Sequence, residues 1–186
     1  MKKFFLIASL LTAISCSHHN QSVRFNVVLD EAKANIGHGI ALDIKVIDGR
    51  SNKENIGVKK FGEEKFTIAS DQNLASFVQK EITQNLIEKG FKIGKEISVE
   101  IHIEKFLYQA KRKFFIGKSK SEAAIIIVIK NNKTGTKFTN NYSVSLTGKH
   151  FIAPLESTDS EIINSTLQDI LQDILTDQDF IKALTS

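Results

Sequence analysis

Ile97, Val99, Ile101 and Ile103 alternate with Ser98, Glu100, His102 and Glu104. This period of two marks a half-buried strand. Ile40, Leu42, Ile44 and Val46 repeat the pattern, and a shorter apolar run, Phe25 to Leu29, predicts a strand before them. Asp48-Gly49-Arg50-Ser51-Asn52 has turn chemistry, and residues 49–65 read as a long charged loop with a short strand at Phe66 to Ile68. Leu74, Phe77, Val78, Ile82, Leu86 and Ile87 then recur at helical spacing. With Ser70 and Asp71 as N-cap candidates and Gly90 as a left-handed stop, they predict a helix over 71–89.

The alternation after Ile97 breaks at Lys105-Phe106-Leu107-Tyr108, which predicts a bulge or a strand end. Ala123 to Ile129 is an unbroken, β-branched apolar run of the kind found in a central strand. Asn131 to Gly135 turns the chain, and Phe138 to Leu146 returns as the second arm of a hairpin. Thr158-Asp159-Ser160-Glu161 reads as a capping box opening a helix whose stripe runs through Ile163, Leu167, Ile170 and Leu171 to Leu175. A short last turn, Phe180 to Leu184, folds back on it. Two amphipathic helices and four or five strands predict an α+β two-layer sandwich, with a mainly antiparallel sheet and both helices on one face.

The N-terminus is patterned differently. Lys2 and Lys3 precede an apolar run from Phe4 to Leu11, small residues follow, and Cys16 is the only cysteine. That is the layout of a secretory signal, and the run is shorter than the roughly 20 residues a membrane-spanning helix needs. Ala13-Ile14-Ser15-Cys16 resembles the lipobox of bacterial lipoproteins, which implies cleavage before Cys16 and a lipid on its sulfur. Lipidation also disposes of a thiol that would otherwise stay unpaired in an oxidising compartment. In such signals Ser17, in place of Asp, favours the outer membrane. The expected organisation is a signal peptide over 1–15, a lipidated Cys16 with a tether over 16–22, and one domain over 23–186.

Charge adds little at first sight. The formal +4 includes Lys2 and Lys3, so the processed chain sits near +2, poor grounds for nucleic-acid binding. Removing 1–15 from the 186 residues leaves 171, enough for one domain with a substantial core. The five histidines, His18, His19, His38, His102 and His150, lack the spacing of a helical zinc site, so neither metal nor cofactor is expected. There is no G-x-S-x-G or phosphate loop, and Gly37-His38-Gly39 lacks the third glycine of a dinucleotide fingerprint. Asp48 and Arg50 read as a structural ion pair. No catalytic residue is expected.

One segment has local character. Lys111, Arg112, Lys113, Lys118 and Lys120 surround Phe114, Phe115 and Ile116. Such a segment suits contact with a membrane or another anionic surface, the charges drawing it in and the apolar groups entering the interface. The alternative is an exposed connection between strands whose phenylalanines tuck into the domain.

Taken in order, the lipobox, Val46-Ile47-Asp48-Gly49-Arg50, Ile56-Gly57, Leu86 to Phe91, the strand from Ile97 into Phe106-Leu107-Tyr108, and Leu175-Thr176-Asp177 resemble the YajG-type family of bacterial lipoproteins. The resemblance implies an outer-membrane lipoprotein facing the periplasm and supplies no catalytic residues. The expected function is a non-catalytic binding or assembly module, held to the membrane by its lipid and meeting an envelope protein. The alternatives are a periplasmic enzyme acting on cell-wall glycan, or a carrier of an amphipathic ligand, which requires an apolar cavity between helix and sheet.

Overall fold

The computed structural model describes residues 21–30, 35–113, 116–150 and 155–186, without the side chains of Lys113 and His150. The signal segment, Cys16, the pair His18 and His19, and Phe114 and Phe115 lie outside the described residues. In chain order the elements are β1 (Gln21–Val23), β2 (Ala41–Asp48), β3 (Asn55–Phe61), β4 (Glu64–Ser70), α1 (Leu74–Glu88), β5 (Lys92–Ile93), β6 (Ile97–Lys113), β7 (Ile116–Asn131), β8 (Lys137–His150), α2 (Glu156–Thr176) and α3 (Gln178–Thr185). The sheet therefore takes in Gln21 and Ser22, which the sequence assigns to the tether.

β6 organises the sheet. One edge pairs antiparallel with β7 along its length, and β7 pairs with β8 in the same sense. The other edge is shared. β2 runs parallel to residues 97–103 of β6, and β3 runs parallel to residues 108–112. β5 lies beyond β2, and β4 followed by β1 lies beyond β3. Among the described residues the product is one mixed sheet of eight strands, curled into a half-barrel and accompanied by three helices. This corrects the expected sandwich of four to five mainly antiparallel strands.

The physical reason lies in residues 49–65. Along β3 a register shift sets buried Ile56 next to buried Gly57, and Lys59 follows as the next buried position, so the apolar alternation that identifies a strand is missing there. The chain leaves β6 at Asp48 and rejoins it at Gly57, so β2 and β3 behave as one long strand with an excursion. β6 carries its predicted bulge opposite that excursion, between Ile103 and Lys105, and continues as a strand beyond it. Gly62, at φ +65°, then turns β3 into β4.

Phe25 to Leu29 is extended but pairs with no strand. Its backbone is held by amide side chains instead, with Phe25 N–H on Gln72 Oε1 at 2.6 Å and the next rungs on α2. Asn26 N–H donates to Asn164 Oδ1 at 2.8 Å, Val28 to Gln168 Oε1 at 3.1 Å and Asp30 to Gln172 Oε1 at 3.0 Å. Two extended residues advance about 6.6 Å and four helical residues about 6 Å, so the periods nearly match.

α1 starts two residues later than its best cap residues suggest. Asn73 is the N-cap and accepts from Ser76 N–H at 2.9 Å, while Gly90 closes the helix as expected. α2 begins at Glu156 with Leu155 as an N-cap that makes no side-chain bond, so the expected capping box does not form. Its Asp159 is used elsewhere. α1 covers β2 and α2 covers β7 and β8, both on one face, and the two helices touch. Leu86 and Leu171 are buried in the core they share with Val99, Ile101, Ile125 and Ile127. The turn expected near Phe180 is a full helix, α3, which buries Phe180 and Leu184.

Candidate functional site

Two polar clusters sit inside the fold. Asp159, in the first turn of α2, is wholly buried, and it ion-pairs with Lys59 of β3 while accepting a hydrogen bond from the Tyr108 hydroxyl of β6. Lys59 also donates to Gln21 Oε1 at 3.0 Å, and Gln21 Nε2 reaches the Glu156 carbonyl at 3.3 Å. Burial, then the hydrogen bond and charge of Asp159, push the Tyr108 phenol well above its usual range. The cluster ties the first strand, the central strand and the start of α2 together. The helical stripe carries its one sequence signal, because Asp159 stands four residues before Ile163 on the inward face.

The second cluster is the Asp48–Arg50 pair. It forms as expected, with Arg50 Nε on Asp48 Oδ1 at 2.9 Å and Arg50 Nη2 on Oδ2 at 2.8 Å. The guanidinium also donates to the Lys53 carbonyl at 3.2 Å and reaches Asn55 O at 3.4 Å and Phe106 O at 3.5 Å. It therefore fills the gap where neither β2 nor β3 lies against β6. Burial raises the Asp48 pKa, but the hydrogen bonds and charge of Arg50 outweigh it and leave the carboxyl below its ordinary value. Every bond of this pair goes to the excursion or to the strand it bridges, so its role is to hold the loop.

Of the basic segment, Lys111, Arg112 and Lys113 end β6, and Lys118 and Lys120 lie at the start of β7. Lys111 stands opposite Lys118 in the register, and Gln109 opposite Lys120. These side chains share the face away from the helices. Lys111, Ile116, Lys118 and Lys120, with Lys149 of β8, line a cleft of about 670 Å³. Arg112 pairs with Gly117 and takes the alternate position, so it does not join that face; Lys113 pairs with Ile116. Lys120 is partly neutralised by Glu122 at 2.8 Å, whose pKa is lowered by hydrogen bonds from Lys120 and Lys105.

The outer edge of β8 is the remaining feature. β8 is 14 residues long and pairs with β7 alone among the described strands. Thr139, Asn141, Ser143, Ser145 and Thr147 are exposed along it. Asn141 N–H points away from β7 and is met by Asn140 Oδ1 at 2.8 Å. An unpaired edge of this length is a template for another strand.

Among the described residues no group of three or more His, Cys, Asp or Glu is placed to hold a metal. His38 is exposed, and His102 lies 3.5 Å from Glu100 on the outer face. The void between the helices and the sheet, lined by Leu74, Val78, Ile103 and Ile170, has no room for even a water molecule. The cavity that a carrier requires is therefore filled by side chains at that point. No described helix is long and apolar enough to cross a membrane.

Residues 28–185 match the model of a family described as an uncharacterised lipoprotein. A Xanthomonas campestris protein of the DUF330 family has a similar fold, with a TM-score of 0.57 at 9% identity, over 89% of this chain and 96% of that one. The PelC dodecamer of Paraburkholderia phytofirmans gives a TM-score of 0.35 at 11% identity, over 73% and 90%. Lipoprotein GNA1162 of Neisseria meningitidis gives 0.31 at 8% identity, over 75% and 99%. Only the first of these three carries weight, and it bears on fold alone. No curated protein sequence matches at a significant level.

Proposed function

The chain belongs to the uncharacterised-lipoprotein family, a lipid-anchored protein of the cell envelope, and we propose from that premise that it is a non-catalytic binding or assembly module. On this reading Cys16 carries the lipid and the domain sits on the periplasmic face of the outer membrane. The resemblance to YajG-type lipoproteins stated from the sequence agrees with the family match and supports that location.

The observation that carries the binding role is the free edge of β8. Natural sheets protect edges with short strands, prolines or inward charges. Here Lys137 and Lys149 flank a neutral stretch of eleven residues, 138–148, that has none of these devices. An envelope protein supplying one extended segment would complete the ladder by strand addition, with main-chain bonds giving affinity.

The anchor is tested by Cys16→Ser, which leaves unprocessed precursor and abolishes fatty-acid labelling. Normal processing of that variant contradicts it. The edge is tested by Ser143→Pro. Asn141 N–H points outward, and outward groups recur every second residue, so this proline removes a free donor without breaking the β7–β8 ladder. The variant folds as the wild type does and loses its envelope partner. Retention of the partner contradicts the proposal.

A further inference from the structure

We propose that the outer face carries a built seat for an anionic bilayer: a row of five lysines, one from each of five adjacent strands. The register sets Lys65 of β4 beside Lys60 of β3, Lys60 beside Lys111 of β6, Lys111 beside Lys118 of β7, and Lys118 beside Lys149 of β8. Register partners project from the same face, and all five are exposed. Their inward neighbours Lys59, Ala110 and Ser119 are buried, which fixes the row on the face away from the helices. At 4.7–4.9 Å per strand the row is about 19 Å long.

Like charges directly opposite one another destabilise a sheet. Lysines nearby are paired: Lys59 with Asp159, and both Lys105 and Lys120 with Glu122. The five in the row make no ion pair with any described carboxylate. A Lys130–Lys137 pair also stands between β7 and β8, but the row carries the repulsion across five strands at one level, and an external anion relieves it. Three of the five line the 670 Å³ cleft, and Ile116, 53% exposed, stands beside them at the start of β7. The length of the row separates the candidate anions. One phosphate spans only a few ångströms, whereas a bilayer presents headgroups along the whole row.

Chain entry points to the bilayer as the source. β1 runs parallel to β4 with Gln21 opposite Ile68, so Gln21 is the end of β1 nearer Lys65. Three register steps, about 10 Å, separate Gln21 from the level of the row. The five steps back to Cys16 reach at most about 17 Å. A membrane holding a lipid on Cys16 therefore lies within reach of the row. This step rests on the anchor proposed above.

The test uses the full-length protein on phosphatidylcholine vesicles with and without phosphatidylglycerol. Flotation on phosphatidylcholine alone reads the anchor. Amine acylation, mapped by mass spectrometry, reads the row. Lys60, Lys65, Lys111, Lys118 and Lys149 react severalfold more slowly only when phosphatidylglycerol is present. Salt near 1 M, where screening cuts in at about 3 Å, abolishes the difference. Lys80 on α1 and Lys130 at the far end of the same face are unaffected. Combining Lys60→Gln, Lys111→Gln and Lys118→Gln reduces the phosphatidylglycerol-dependent gain in binding about a hundredfold, and leaves the melting temperature equal or higher. Equal acylation with both lipids overturns the proposal, as does slowing that extends to Lys80. Protection by soluble alginate without protection by phosphatidylglycerol also overturns it and assigns the row to an acidic glycan. Failure to float on phosphatidylcholine contradicts the anchor alone, and the row is then read from binding of the unanchored chain to phosphatidylglycerol vesicles.

Discussion

Removing Asp159 tests whether the buried cluster organises the fold. In Asp159→Ala the Lys59 ammonium, with a side chain only 8% exposed, keeps Gln21 but loses its counter-charge, and the Tyr108 hydroxyl loses its acceptor. Breaking one side of a buried pair costs about 3–5 kcal/mol, because the remaining charge stays desolvated. Against a typical total of 5–15 kcal/mol this is a large loss. Lys59→Met leaves the complementary defect and costs a similar amount. Replacing both, Lys59→Met with Asp159→Leu, removes both charges and is far less costly than the sum, since well-packed apolar replacements of buried pairs are often neutral. Urea denaturation followed by circular dichroism, at constant m-value, measures all three. Additive losses in the double variant, or single losses below about 1 kcal/mol, refute the reasoning and mean that water reaches the cluster.

Other expectations follow from the same packing. Leu86→Ala and Leu171→Ala each cost about 2–5 kcal/mol in denaturant unfolding, the range for emptying a buried leucine site; losses below about 0.5 kcal/mol at both would place those stripes outside the core. Gln168→Ala removes one rung of the amide ladder that holds the chain at Val28 and costs about 0.5–1.5 kcal/mol, with faster hydrogen exchange confined to residues near Val28. Asp177 has its pKa lowered, first by the hydrogen bond from Tyr142 Oη at 2.5 Å. Its contribution to stability is thus present above the unfolded value near 3.8 and is lost as pH falls through the lower folded value. Tyr142→Phe makes stability less dependent on pH below 4, and an unchanged acid limb in a melting-temperature series contradicts the assignment.

What could be read from the sequence divides along physical lines. β6, β8, α1 and α2 announce themselves through apolar groups at their own period and β7 through an unbroken apolar run, and the β-bulge near Lys105 shows as a break in the period of β6. β3 was hidden because the buried positions after Ile56 are glycine and a lysine whose partner lies 100 residues away. The parallel pairings of β2 and β3 with β6 leave no local signal, since no hairpin turn joins such strands. Phe25 to Leu29 misled for the opposite reason. It is apolar like a strand, yet its backbone is held largely by side chains of a helix. Of the candidate contact residues, the clustering of Lys111, Lys118 and Lys120 was legible as composition. Lys60, Lys65 and Lys149 join them only through the register, and Arg112 leaves the group by the same rule.

The binding role is tested most directly inside the cell. A photo-crosslinking amino acid placed at Thr139 or Ser145, on the open edge of β8, is compared with one at Gln79 on the exposed side of α1. The account predicts adducts to an envelope protein from the β8 positions, abolished by Ser143→Pro, and none from Gln79. Adducts from Gln79 alone, or β8 adducts that survive Ser143→Pro, would contradict it.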